Sequence, residues 1–417
     1  MASRVVLAYS GGLDTSVAVR WLTEHHGAEV IAVAVDVGQA DHRGGEDWEL
    51  VRQRALAAGA VEVVVVDARR EMAEEFCVPA VMANALYEGK YPLVSALSRP
   101  VIVRHLVDQA RKHGAGTVAH GCTGKGNDQV RFEVGTRALA PELEVLAPAR
   151  VWGMSRRDCI DYAAKWEIPV SSTLEKLYSI DENLWGRAVE CGAIEDPWAS
   201  APEDAYVLTE VTQARPVAVT VGFEGGVPTS IDGRALTPHA LIVELTRRVG
   251  ATGFGRIDAV ENRRVGIKSR EVYECPAALA LVMAHADLED LTLERDVRHE
   301  KIRLEHRWAE LVYDGMWYSP LKAALDAFIV ESQRHVTGEV RLRFDPPGVG
   351  RVEGRRSPVS LYEHDLATYD DTDAFEHADA AGFVRLWGQS VATWAARQGV
   401  APASVTSGRP GERGGAR

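Results

Sequence analysis

Between residues 4 and 168, short apolar runs rich in β-branched residues alternate with stretches of helical periodicity: RVVLAY, then 15–26, VIAVAVDV, 46–58, VEVVVVDA, further helices, TVAHG and LEVLAP. The strand-like runs have no polar face. Strands of that kind must bury both faces, so the alternation predicts a parallel sheet covered by helices on each side, an α/β fold. Gly27, Gly59 and Gly114 each follow a helical stretch, where a left-handed residue ends a helix.

Beyond about Pro169 the texture changes to α+β. RPVAVTVGFEGGVPTSIDG reads as a hairpin, and amphipathic stretches follow at 237–249, 276–290, 294–313 and 320–336. EVRLRF and GRVEGRRSPVSLY are two more strand-like runs, joined by Pro346, Pro347 and Gly348. One last helix is expected over about 373–398, and the small, polar SVTSGRPGERGGAR beyond it reads as a disordered tail. A chain of 417 residues with 46% hydrophobic content exceeds what one core usually serves. The expected division is 1–168, an α/β domain; 169–370, a second α+β domain; 371–400, a C-terminal helix; and 401–417, the tail.

That helix carries Phe375, Ala378, Phe383, Leu386, Trp387, Val391 and Trp394. Such an apolar load must be covered, either by the helix's own subunit or by a neighbour. An oligomer is the expectation. The net charge of −13 repels polyanions at long range and disfavours nucleic acid as a partner. Apolar runs too short to cross a bilayer, no export signal and five scattered cysteines without a CxxC pair predict a cytoplasmic protein with reduced thiols.

Two loops carry the chemistry. The first, Ala8-Tyr9-Ser10-Gly11-Gly12-Leu13-Asp14-Thr15-Ser16, lies between the first strand and the first helix. Its glycines let backbone N–H groups approach an oxyanion beside the positive helix end, and Ser10, Thr15 and Ser16 add hydroxyl donors. Asp14 suits a divalent cation or the helix N-cap. The spacing is neither GxxxxGK[ST] nor GxGxxG. The second loop, HGCTGKGNDQVRFE, follows TVAHG and opens a helix near Asn127. Gly121, Gly124 and Gly126 permit close approach, and Thr123, Asn127, Asp128 and Arg131 gather at one helix end. A zwitterionic amino acid fits this set: Arg131 can fork onto a carboxylate, and Asp128 can hold an ammonium. His120, ending a buried strand, reads as structural.

SGGLDTS resembles the phosphate loop of the ATP pyrophosphatases (PP-loop, N-type), which implies attack at the α-phosphorus and release of pyrophosphate. AYSGGLDTS, YEGKYPLVSALSRP, HGCTGKGNDQVRFE, YSIDENLWGR, VENRRVGIKSREVYE and GRRSPVSLY, in that order, resemble the argininosuccinate synthase family up to about residue 370. The resemblance implies a Rossmann-like domain of the adenine nucleotide alpha hydrolase type, followed by a synthetase and multimerisation domain. It also implies the reaction: citrulline's ureido oxygen attacks ATP to give citrullyl-AMP and pyrophosphate, then aspartate's amine displaces AMP. By motif position, residues 8–16 and Gly121 would bind ATP, with Mg²⁺ on its phosphates; Thr123, Asn127 and Asp128 would bind aspartate; and Tyr91, Asn127, Arg131, Ser179, Glu261 and Tyr273 would bind citrulline. Two positions depart from the pattern. Ala96, with Ser95 beside it, and Ala188 stand where some members carry a hydroxyl.

Ser10, Asp14 and Arg131 are the most important of these side chains, acting by positioning and charge stabilisation rather than as a nucleophile. Other PP-loop enzymes fit less well. An amidotransferase needs a cysteine nucleophile for its ammonia source, and a tRNA-thiolating enzyme wants reactive cysteines and a basic face. A nucleotide sensor that had lost the chemistry would have no use for the amino-acid set.

Overall fold

The N-terminal apolar runs form β1 (Arg4–Ala8), β2 (Glu29–Asp36), β3 (Glu62–Asp67), β4 (Thr117–Ala119) and β5 (Glu144–Leu146). The structure is a computed structural model that describes residues 3–41, 44–169, 178–370 and 373–399. The five strands are parallel in the order β3-β2-β1-β4-β5, with Val6 opposite Ile31 on one side and Val118 on the other. From β1 the chain builds outward through β2 and β3, then returns to place β4 on the other flank of β1. This reversal opens a crevice at the carboxyl ends of β1 and β4, where both glycine-rich loops emerge.

Helices Leu13–His26, Trp48–Ala57 and Arg156–Lys165 bury Val17, Leu22, Val51, Ala55, Cys159 and Ala163 on one face of the sheet. Helix Val94–His113 covers the other with Leu97, Val101, Val103 and Leu106. Gly27 and Gly114 cap their helices in the left-handed conformation, and Gly59 follows Ala58 with φ +107°.

The second half supplies β6 (Ser179–Asn183), β7 (Gly186–Glu190), β8 (Val217–Glu224), β9 (Val227–Ile231), β10 (Arg234–Ala235), β11 (Arg256–Asn262), β12 (Lys268–Glu274), β13 (Gly338–Asp345) and β14 (Val349–Arg356). They form two sheets, β10-β9-β8-β13-β14 and β11-β12-β7-β6, whose neighbouring strands are antiparallel. The expected hairpin is β8–β9, and the amphipathic stretches are helices Pro238–Gly250, Pro276–Thr292, Arg295–Tyr313 and Pro320–Ser332.

The turn between β6 and β7 anchors the four-stranded sheet to the first half. The buried Trp185 donates through Nε1 to the Pro92 carbonyl at 2.7 Å, Asn183 donates to the Val94 carbonyl at 2.9 Å, and the Leu184 N–H donates to the Val37 carbonyl at 2.9 Å. One apolar core accordingly runs from the parallel sheet into both antiparallel sheets. Residues 1–361 form one compact unit and 362–417 a second.

In the second unit the single helix expected over 373–398 is two, His377–Trp387 and Gln389–Gln398, divided at Gly388. Glycine loses the most backbone freedom in a helix and weakens it there. The start lies later than expected because Asp373 accepts from the Phe375 N–H at 2.9 Å and Glu376 accepts from the Ala378 N–H, holding the chain in capping geometry. The tail expected at 401–417 lies outside the described residues.

Candidate active site

Gly11 sits at φ +74°, a conformation that side chains disfavour, and a Cβ there would come within 3.3 Å of Val51. This lets the chain turn sharply from β1 into a helix whose N-cap is Gly12. Asp14 is therefore in the first turn and not the cap. The hydroxyls of Ser10 and Thr15 are 3.1 Å apart, Thr15 donates to the Gly12 carbonyl at 3.4 Å, and Tyr9 Oη and Ser16 Oγ meet at 2.9 Å. These bonds tie the loop together beside the helix N-terminus, whose first N–H groups have no partner within the helix. Desolvation raises the Asp14 carboxyl above its ordinary range, with Arg156 opposing.

The second loop abuts the first. A Cβ on Gly121 would lie 3.2 Å from Thr15 Cγ2 and 3.8 Å from the Thr15 backbone nitrogen, so glycine leaves room for the Thr15 side chain where the two loops come close. His120, just before it, is fully buried; its Nδ1 accepts from the Cys122 N–H at 3.2 Å and its ring stacks on Phe132. Burial lowers its pKa to about 4, so at neutral pH it is an uncharged strut. Immediately after Gly121 the chain enters the wall of a cavity of about 200 Å³.

Tyr91, Thr123, Asn127, Asp128, Arg131, Ser179, Glu261 and Tyr273 all line that cavity, although they come from both halves of the sequence. Asn127 and Arg131 share a face of helix Asp128–Leu139 and the residue before it. Ser95 also lines the cavity, and its N–H donates to Tyr91 Oη at 2.9 Å, whereas Ala96 is buried elsewhere; Ala188 contributes to the wall. Residues 8–16 and Gly121 are not among the residues that line the cavity; they lie at and just beyond the carboxyl ends of β1 and β4.

Charge is arranged in two groups. Burial acts to raise the Asp128 carboxyl, but Arg99 and Arg131 outweigh it and hold it at about 2. The pairs are Arg99 Nη2 to Asp128 Oδ2 at 2.6 Å and Arg131 Nη1 to Asp128 Oδ1 at 2.5 Å, while Arg99 also reaches Asp181 at 2.7 Å. Arg131 Nε donates to the Tyr313 carbonyl at 3.0 Å, which fixes the plane of the guanidinium. On the facing side Glu261, 3% exposed, accepts from Tyr273 Oη and, at 2.9 Å, from Tyr313 Oη. Burial, then the charge of Glu271, pushes its carboxyl up to about 7.

The aromatic wall is stacked: Tyr91 on Tyr273 at 4.3 Å, and Tyr87 on Tyr313 at 3.6 Å between centroids. Sequence reasoning missed Arg99, Asp181, Glu190, Arg263, Glu271 and Tyr313. Glu271 lies two residues before Tyr273 on KSREVYE, and Glu190 pairs with Ser179 across the SIDENLWGRAVE hairpin, so alternation for the first and hairpin pairing for the second would have placed both on the cavity face. Arg99 and Tyr313 had no such signal, since each reads as a helix residue.

A family model described as the arginosuccinate synthase N-terminal HUP domain matches residues 4–169, and one described as the arginosuccinate synthase C-terminal domain matches residues 178–394. Two solved structures share similarity with part of the chain. One is a predicted subunit of tRNA methyltransferase from Methanocaldococcus jannaschii, 13% identical over 43% of this chain and 78% of that one, with TM-score 0.27. The other is the U34-tRNA thiolase NcsA from Methanococcus maripaludis with its [4Fe-4S] cluster, 15% identical over 41% of this chain and 59% of that one, with TM-score 0.25. The two family models together take in nearly all of the chain, which therefore belongs to the argininosuccinate synthase family: ATP-binding ligases of arginine biosynthesis that act on citrulline and aspartate.

Proposed function

We propose that the crevice at the tips of β1 and β4 holds the triphosphate of ATP, and that the adjoining cavity holds citrulline and aspartate. The observation that carries this reading is the contact of Gly121 with Thr15, because the phosphate loop and the cavity wall are then continuous. Residues 8–16 and Gly121 bind ATP. Citrulline lies along the tyrosine wall, its carboxylate on Asn127 and Arg131 and its ammonium toward Glu261, with Tyr91, Ser179 and Tyr273 beside it. Thr123, Asn127 and Asp128 take aspartate.

In the first step the ureido oxygen attacks the α-phosphorus and pyrophosphate leaves; in the second, aspartate's amine attacks the activated carbon of citrullyl-AMP and AMP leaves. Both nucleophiles are competent once placed, so the protein contributes orientation, and the loop N–H groups and Ser10 stabilise charge growing on the phosphates. Asp14 fits Mg²⁺, a cation held by one or two carboxylates together with phosphate oxygens. When bound, Mg²⁺ neutralises phosphate charge.

The domain boundaries proposed are those of the sequence, with 169–370 as synthetase domain and 371–400 as the oligomerisation segment of a homotetramer. All five cysteines are free thiols, which supports a cytoplasmic setting, and no helix among the described residues is long and apolar enough to cross a membrane. The direct test is pyrophosphate formation from ATP and Mg²⁺ with citrulline and aspartate added separately and together. Arg131→Lys, which loses the guanidinium fork, is expected to raise the citrulline KM by about 30-fold, corresponding to about 2 kcal/mol. An unchanged citrulline KM would overturn the assignment.

A further inference from the structure

Side-chain alternation on the four-stranded sheet sends one set of residues into the cavity. Tyr273, Ala188 and Asp181 are cross-strand neighbours, and Glu190 stands opposite Ser179. All of these, with Glu271, line the cavity. The floor beneath the amino-acid substrates is therefore strongly acidic.

The chemistry of the ligation explains an acidic floor. A neutral ureido group becomes a guanidinium cation, and the nitrogen that attacks must shed a proton. Most of the carboxylates present are committed. Asp128 and Asp181 are held by Arg99, and Asp128 by Arg131 as well. Glu261 accepts from two phenols, and Glu271 is bonded to Arg263 at 2.7 Å and to Tyr273 Oη at 2.7 Å. Glu190 is bonded to Arg263 Nη2 through Oε2 at 2.6 Å, and 39% of its side-chain surface is left open in the cavity wall. Arg263 also donates through Nη1 to the Lys125 carbonyl at 3.3 Å and through Nε to Ser269 Oγ at 2.7 Å. Glu190 is thereby tied to the loop that carries Thr123 and Asn127.

We propose that Glu190 is a catalytic residue of the second step, the base that takes the proton from aspartate's nitrogen, and that Arg263 positions it. With aspartate present as the free amine, its nitrogen lone pair forms the C–N bond to the activated ureido carbon. The C–O bond to AMP breaks and its electron pair leaves with the phosphate. The surplus proton on the new nitrogen passes to Glu190 Oε1, and the guanidinium keeps a single positive charge. Burial, then the Glu271 charge, raises the Glu190 carboxyl above its ordinary range, with Arg263 opposing, which is the direction that suits a base.

The proposal rests on the assignment of the cavity to citrulline and aspartate, and the test separates the two. In single turnover, Glu190→Gln keeps citrulline-dependent pyrophosphate formation within about threefold of the wild type. The aspartate-dependent release of AMP slows by about 100-fold or more, with the aspartate KM changed by less than about threefold. Glu190→Asp recovers part of the second rate. Two results overturn the proposal: AMP release by Glu190→Gln within about threefold of the wild type, or both half-reactions falling in parallel in both variants, which is the mark of a structural role. If the wild type itself forms no citrulline-dependent pyrophosphate, the proposed function falls before Glu190 is in question.

Discussion

Glu261 shows what a single residue costs and contributes here. Its carboxyl is buried against two phenols and faces Glu271, so its proton is released only near pH 7 in the folded chain, against an ordinary value of 4.5. Between those values the folded state binds more protons than the unfolded state, and stability falls as pH rises through the window. Glu261→Gln removes that loss. It is expected to be more stable than the wild type by about 1–3 kcal/mol at pH 8, with the difference vanishing below about pH 4, as read by denaturant unfolding across pH. If Glu261 receives an ammonium, citrulline affinity should improve as pH rises through about 7, and the variant should lose that dependence. Nothing in VEN or KSREVYE by themselves reveals this. Taken alone they read as a surface acid and a half-buried ring, because the phenol of Tyr313 that Glu261 meets lies 52 residues further on.

At the scale of elements, the proposed function depends on two turns meeting. The strand-loop-helix rhythm around each glycine loop was legible, since apolar runs, glycines and polar helix starts leave local signatures. Their contact at Gly121 and Thr15 was not, because it follows from the order of strands in the sheet. Gly121→Val should drive a branched side chain into Thr15 and raise the ATP KM by about tenfold, with thermal unfolding shifted by only a few degrees. An unchanged ATP KM would separate the two loops functionally. Helix Arg295–Tyr313 teaches a related lesson. The sequence marks it as amphipathic without saying which charges face water, and Lys301 is fully buried between Glu289 at 2.8 Å and Glu305 at 2.5 Å. Charge spacing along a helix cannot tell a water-facing ion pair from one sealed by a neighbouring helix. Gly388 acted in the other direction: a local rule, glycine's poor helix propensity, divided what the apolar pattern had joined.

At the scale of the whole molecule, the second unit exposes Phe383, Val384, Leu386, Trp387, Val391 and Trp394, each by half or more of its surface. A patch of this kind calls for a partner surface. Replacing Trp387 and Trp394 together by Asp is expected to shift sedimentation from an assembly to the monomer; a wild-type profile would place the contact elsewhere. By itself the sequence determined the α/β character of the first half, the α+β character of the second, the places of the two glycine-rich loops and the family. Those properties are written in short-range periodicity and in contiguous motifs. Only the tertiary structure decided which acids stay charged, which arginines hold them, and that Glu190, Glu271 and Asp181 share one cavity with Arg131. Desolvation and pairing depend on what the fold brings from far along the chain, and no local pattern carries that information.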